Sequence, residues 1–112
     1  MSDNAVIARY TFHNQDTAAH TISLRLLNEL CPDYAQVVRH GRSALTASES
    51  EGYPAVHNPI TGATISVRPS HPWHTATIHE ALLALEIEQT LDLQLQPNTS
   101  YTLSIQLQVQ FV

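Results

Sequence analysis

His71, His74 and His79 fall close together, with Pro72 and Trp73 between the first two. Imidazoles at such spacings could ligate zinc or copper, but a metal centre wants three or four convergent ligands. Only His71 and His74 share one stiff loop, and Cys31 could join them only through tertiary structure. A small His-based metal site is therefore an alternative, and the main expectation is no metal and no cofactor, with histidines that are solvated or hydrogen-bonded. His79-Glu80 does not open an H-E-x-x-H helix, because position 83 is Leu. No serine sits in G-x-S-x-G. Cys31 follows an apolar run and precedes Pro32, which reads as a buried, inert thiol. Glu80, Glu86, Glu88 and Asp92 could supply paired acids. Acid catalysis needs one carboxyl raised in a cleft, whereas 86, 88 and 92 share one wet face of a strand. No catalytic residue is assigned, and the chain is expected not to be an enzyme.

Binding is the chemistry that remains. Trp73 is the sole tryptophan and lies beside Arg68, His71 and His74. Trp, Arg and His are typical of recognition hot spots and of sugar-stacking surfaces. These four residues form the candidate site, with a protein or a carbohydrate as ligand in a lectin-like manner. The competing role for Trp73 is to plug one end of the core, since a lone Trp is mostly buried.

Composition narrows the partners. The 112 residues carry a formal charge of −5, and all five basic residues are scattered arginines. No basic patch exists to neutralise phosphates, so nucleic acid and anionic membrane are poor candidates. No apolar run approaches the roughly 20 residues of a membrane span. The first residues lack the pattern of a secretory signal, and with a single cysteine the expectation is a cytoplasmic protein. The length suits one domain over 1–112.

The elements that would carry the site are strands. Apolar and polar residues alternate over 5–13, from Ile22 to Leu26, over 63–67 and from Tyr101 to Phe111. Ala35–His40 is a short strand candidate, 41–54 reads as a long loop, and Ala55–His57 as a brief edge segment. Asn58–Gly62 is a strong turn. Pro69 and Pro72 exclude a helix or a central strand in the segment that follows Arg68. Thr77-Ile78-His79-Glu80 has the form of a capping box, so a short helix is expected near 77–82, before a strand that reaches about 96. The alternation in that strand is interrupted only by Gln89. The fold class is all-β, an antiparallel Ig-like β-sandwich.

Register bears on the last two strands. Opposed residues share a face, so a simple hairpin would place Leu95 opposite Tyr101 or Leu103. The alternative is that the chain crosses between sheets at Pro97–Ser100, with both leucine rows facing each other inside.

Leu95-Gln96-Pro97-Asn98-Thr99-Ser100-Tyr101 resembles the E–F corner of fibronectin type III domains. The resemblance covers about eleven residues and implies an Ig-like sandwich. In it Leu95, Pro97, Thr99 and Tyr101 form a structural corner whose Tyr hydroxyl ties back to upstream backbone. Asn58–Gly62 and Arg68-Pro69 through Trp73 are similar to loop motifs of chagasin-like cysteine-protease inhibitors. This makes a proteinase inhibitor on an Ig-like scaffold the second alternative. In that family the equivalent loops sit together, whereas here a single strand would hold them at opposite ends.

Self-association is also expected. The wet face of the last strand, Thr102-Ser104-Gln106-Gln108-Gln110, carries no charge, and the chain has no lysine to guard an edge. A homodimer through the edge of 101–112 is the expectation.

Overall fold

The computed structural model describes residues 4–31, 45–80 and 84–111. They form eight strands: β1 (Asn4–His13), β2 (His20–Leu30), β3 (Thr46–Ser50), β4 (Tyr53–Asn58), β5 (Ala63–Pro69), β6 (Thr75–Glu80), β7 (Leu85–Leu95) and β8 (Ser100–Phe111). All pairings are antiparallel. One sheet runs β1-β8-β5-β4-β3 and the other β2-β7-β6. The protein is thus an antiparallel β-sandwich. The expected strand at 35–40 lies outside the described residues.

The two apolar rows adjacent in sequence lie in different sheets and face each other. Leu85, Ile87, Leu91, Leu93 and Leu95 of β7 are buried, as are Leu103 and Ile105 of β8, together with Val56 and Val67. The crossing at Pro97–Ser100 is therefore the observed solution, and the hairpin is not. In the sandwich each row packs against the other from the opposing sheet. Burying each such side chain contributes about 1.5–3 kcal/mol.

Four expectations are corrected. Thr77–Glu80 is strand, not helix, and no helix occurs among the described residues. Ile78 pairs with Ile87 inside the sandwich, and this burial outweighs the capping pattern. The expected long loop at 41–54 contains β3 and the start of β4, joined by Glu51 and Gly52 at φ 52° and 85°. Two positive-φ residues in succession make the tight turn whose twist matches the flanking strands. β4 is not an edge, since β3 and β5 flank it. β8 is not an edge either, because β1 and β5 pair with its two sides. Both of its hydrogen-bonding edges are taken by these neighbours, so β8 cannot template another chain.

Two details bear on function. Ser50 Oγ on β3 donates to Gln110 Oε1 on β8 at 2.9 Å. Strands are about 4.8 Å apart, so a flat sheet would separate β3 from β8 by about 14 Å. The β3 edge therefore curls over the outer face of its own sheet, which accounts for the burial of Ala55, Ser66 and Gln108 there. In the interior, Gln89 is 0% exposed, opposite Leu26 and Ala76. Neither its Nε2 nor its Oε1 has a hydrogen-bond partner among the described residues.

Candidate functional site

Arg68 and Trp73 come together, but through a residue the sequence reading missed. Arg68 stands on the outer face of β5, opposite Gln106. Its guanidinium is held on three sides: Nε donates to Ser66 Oγ at 2.8 Å, Nη1 to Glu51 Oε2 at 2.9 Å and Nη2 to Ser50 Oγ at 3.3 Å. It also lies over the Tyr53 ring, 4.9 Å from the centroid, within cation–π range. The other neighbour of Tyr53 is Trp73, with ring centroids 5.5 Å apart and planes tilted by 35°. The result is a row of guanidinium, phenol and indole. Trp73 is half-buried and pairs with Tyr53 rather than joining the buried core.

This arrangement follows from the Glu51-Gly52 turn. The turn places Ser50 opposite Tyr53 on the outer face and delivers Glu51 to Arg68. The signal was a charged residue before glycine, between two stretches without apolar alternation, which is weaker than Asn-Gly or Asp-Gly. Tyr53 was legible only after that turn.

An open depression of about 300 Å³ adjoins the row, lined by Arg9, Tyr53, Arg68, Ser70, Ser104 and Gln106. Arg9 is exposed on β1 and has no ion-pair or hydrogen-bond partner among the described residues. Two of the five arginines of an acidic chain thus border one hollow. Arg68 is committed to protein oxygens, while Arg9 is free to meet a ligand.

The two histidines leave this site in different directions. His71 Nδ1 donates to the Pro72 carbonyl at 2.8 Å, and its ring meets Tyr101 edge-on at 5.9 Å. His74 reaches the other sheet, where its Nε2 lies 2.8 Å from Asp92 Oδ2. Hydrogen bonds from Ser23 and then His74 hold the Asp92 carboxyl below its ordinary range. No three His, Cys, Asp or Glu side chains among the described residues group as metal ligands would. In the acidic row, Glu88 meets Arg25 at 3.2 Å and His79 at 3.5 Å on the outer face of the smaller sheet.

Cys31 departs from expectation, for it is exposed. Partial desolvation and the Glu29 carboxylate, 3.6 Å from its Sγ, raise the thiol above its ordinary value. A raised thiol is a poor nucleophile at neutral pH.

At the corner, Leu95 is buried and Pro97 half-buried, and Thr99 Oγ1 donates to the Gln96 carbonyl at 2.7 Å. The Tyr101 hydroxyl has no hydrogen-bond partner among the described residues, and its ring packs against the core. The tie is made by Asn14 instead. Its Nδ2 donates to the carbonyls of Ala18, Leu95 and Gln96 at 2.8, 3.2 and 3.2 Å. The Asn14 backbone N–H donates to Thr99 at 2.9 Å. Asn14-Gln15-Asp16-Thr17 has turn-forming residue types, but nothing local showed that Asn14 is buried or tied it to residues some eighty positions away.

The two loops similar to protease-inhibitor motifs flank β5, whose seven residues hold them at opposite ends. No helix among the described residues is long and apolar enough to cross a membrane. Comparison with protein-family models, curated proteins and solved structures gives no match.

Proposed function

We propose that the chain is a non-enzymatic recognition module on an Ig-like scaffold, which binds a carbohydrate bearing a carboxylate and also self-associates. The single observation that carries the ligand reading is the Arg68–Tyr53–Trp73 row beside the uncommitted Arg9. Aromatic faces take the apolar side of a sugar ring, and a free guanidinium takes a carboxylate through paired hydrogen bonds. Arg68, fixed by Glu51 and two serine hydroxyls, acts by positioning Tyr53. The divergence of His71 and His74 weighs against a histidine metal site, and the separation of the two β5 loops weighs against a protease inhibitor.

The experiment is an array of neutral, uronic-acid and sialic-acid glycans probed with the wild type, Arg9→Ala and Trp73→Ala. The expected result is retention on acidic glycans only, with each substitution lowering affinity at least about tenfold, Arg9→Ala by losing a charge-assisted contact and Trp73→Ala by losing aromatic packing. Arg9 is exposed, so its replacement leaves the fold intact. Absence of acidic-glycan binding, or equal binding by Arg9→Ala, overturns the reading.

A further inference from the structure

The flank away from β3 and β6 carries a different kind of surface. Among the described residues, β1 and β2 are edge strands of their sheets. Between them runs an apolar cleft of about 260 Å³, lined by Tyr10, Phe12, Leu24, Leu26, Asn28 and Ile105 among others. Four large apolar side chains, Val6, Ile7, Tyr10 and Leu27, are about half exposed or more on these two strands. Such clustering on one flank marks a contact surface.

β2 is the better template of the two. It has eleven residues, alternates in burial without a break from Thr21 to Leu30, and contains no proline. The free edges on the other flank, β3 and β6, have only five and six residues. The outward row of β2 holds Arg25, Leu27 and Glu29, one cation and one anion about an apolar centre. That of β1 holds a cation, Arg9, and no acid. The electrostatics of β2 are incomplete within one chain. Glu29 stands directly opposite Glu86, a like-charge pair that destabilises a sheet. No cation pairs with Glu29 among the described residues. Arg25 contacts Glu88 through Nε, yet its side chain is 65% exposed.

We propose that a second copy of this chain adds its β2 antiparallel to this β2, about a two-fold axis at Leu27. The proposal rests on the self-association part of the reading above and not on the ligand surface. In this register Leu27 meets the partner's Leu27, Arg25 meets the partner's Glu29, and Glu29 meets the partner's Arg25. The inward row places Leu24 against the partner's Leu30. Antiparallel partners must keep their faces, so the register moves only in steps of two. A shift of two sets Leu27 against a charge. A shift of four sets Arg25 against itself or Glu29 against itself. The register centred on Leu27 alone joins the single cation to the single anion and neutralises the Glu29–Glu86 pair. The three-stranded sheet becomes continuous across the dimer.

The test is molar mass by light scattering and sedimentation on the wild type, Arg25→Glu, Glu29→Arg, the double exchange and Leu27→Lys. Circular dichroism reports that each variant is folded. The wild type is expected to be a dimer at micromolar concentration. Each single charge variant and Leu27→Lys should weaken the dimer at least about tenfold, since like charges then face each other across the axis. Mixing Arg25→Glu with Glu29→Arg should restore a dimer, because an acidic edge then meets a basic one. The double exchange should restore it within one chain. A monomeric wild type at about 100 μM overturns the proposal, since edge pairing this weak is no stable assembly. So does a dimer unmoved by Glu29→Arg, which places the interface on β1 or elsewhere, and so does a mixture that stays monomeric. Trp73→Ala leaves the dimer intact, so failure of the glycan reading is read separately.

Discussion

The Asn14 side chain donates to the Leu95 carbonyl across 3.2 Å, joining the loop after β1 to the point where the chain leaves one sheet for the other. Asn14 is 6% exposed, and its Oδ1 also accepts from the Asp16 N–H at 2.9 Å. The Asn98 N–H, on a residue at φ 52°, reaches the Asp16 carbonyl at 3.3 Å. Both loops at this end are thus organised around one buried amide.

Asn14→Ala is expected to destabilise the protein by about 2 kcal/mol, because it strands buried carbonyls and an N–H. Tyr101→Phe, which removes a hydroxyl without a partner, should change stability by less than about 0.5 kcal/mol. Urea denaturation of both variants checks the pair. Equal losses would mean that the Tyr101 hydroxyl holds the corner as much as Asn14 does.

Gln89→Met is expected to stabilise the fold by about 1 kcal/mol. Methionine has a similar unbranched shape and removes two buried polar atoms that lack partners. A higher urea midpoint with an unchanged slope confirms this. A lower midpoint would show that the amide is satisfied in solution.

Glu51→Asn sets two effects against each other. A left-handed backbone costs a residue such as Glu about 1 kcal/mol more than Asn, which adopts it readily. The Glu51–Arg68 pair, with Glu51 68% exposed, has the geometry of surface pairs that contribute about 0–1 kcal/mol. The substitution should raise the melting temperature slightly at physiological salt. The gain should grow in 1 M salt, where the lost pair is screened in the wild type as well. A gain that shrinks with salt counts against this balance.

Asp92 is held below the ordinary carboxylate range by Ser23 and then His74. A carboxyl depressed in the folded state stabilises above its unfolded value, near 3.9, and that stability is lost as pH falls through the folded value. Stability of the wild type should therefore decline as pH drops below about 4. In Asp92→Asn that decline should be shallower, as measured by urea midpoints from pH 6 to 2. Asp16, depressed by His20 and the Thr17 N–H, behaves likewise and leaves part of the slope.

What the sequence made legible was periodicity. Strands β1, β5, β7 and β8 follow from alternation, whereas the parity of Leu95 and Tyr101 left a hairpin and the sheet-to-sheet crossing both open. What it concealed depends on tertiary placement. Thr46–Ser50 shows no apolar period, because that strand folds over a polar face and buries almost nothing of its own. Thr77–Glu80 carries a helix-start pattern, and only the pairing of Ile78 with Ile87 makes it a strand. Arg68 and Trp73 were visible as residue types. Tyr53 and Arg9 were not, since their positions depend on a turn and on a strand pairing with β8 from the far end of the chain. Leu27, which breaks the apolar alternation of β2, sits outward at the free edge while Asn28 takes the inward place.

The order of strands also sets the order of events during synthesis. Among the described residues β1 forms its ladder only with β8, and β2 only with β7. A chain leaving the ribosome therefore carries two long alternating strands before the partners observed here, β7 and β8, have been made. Contacts between residues so distant close slowly, in about milliseconds to seconds for β-sandwich topologies. Until β7 and β8 emerge, the Asn4–His13 and His20–Leu30 segments are exposed edges, and chaperone binding during translation should concentrate on them.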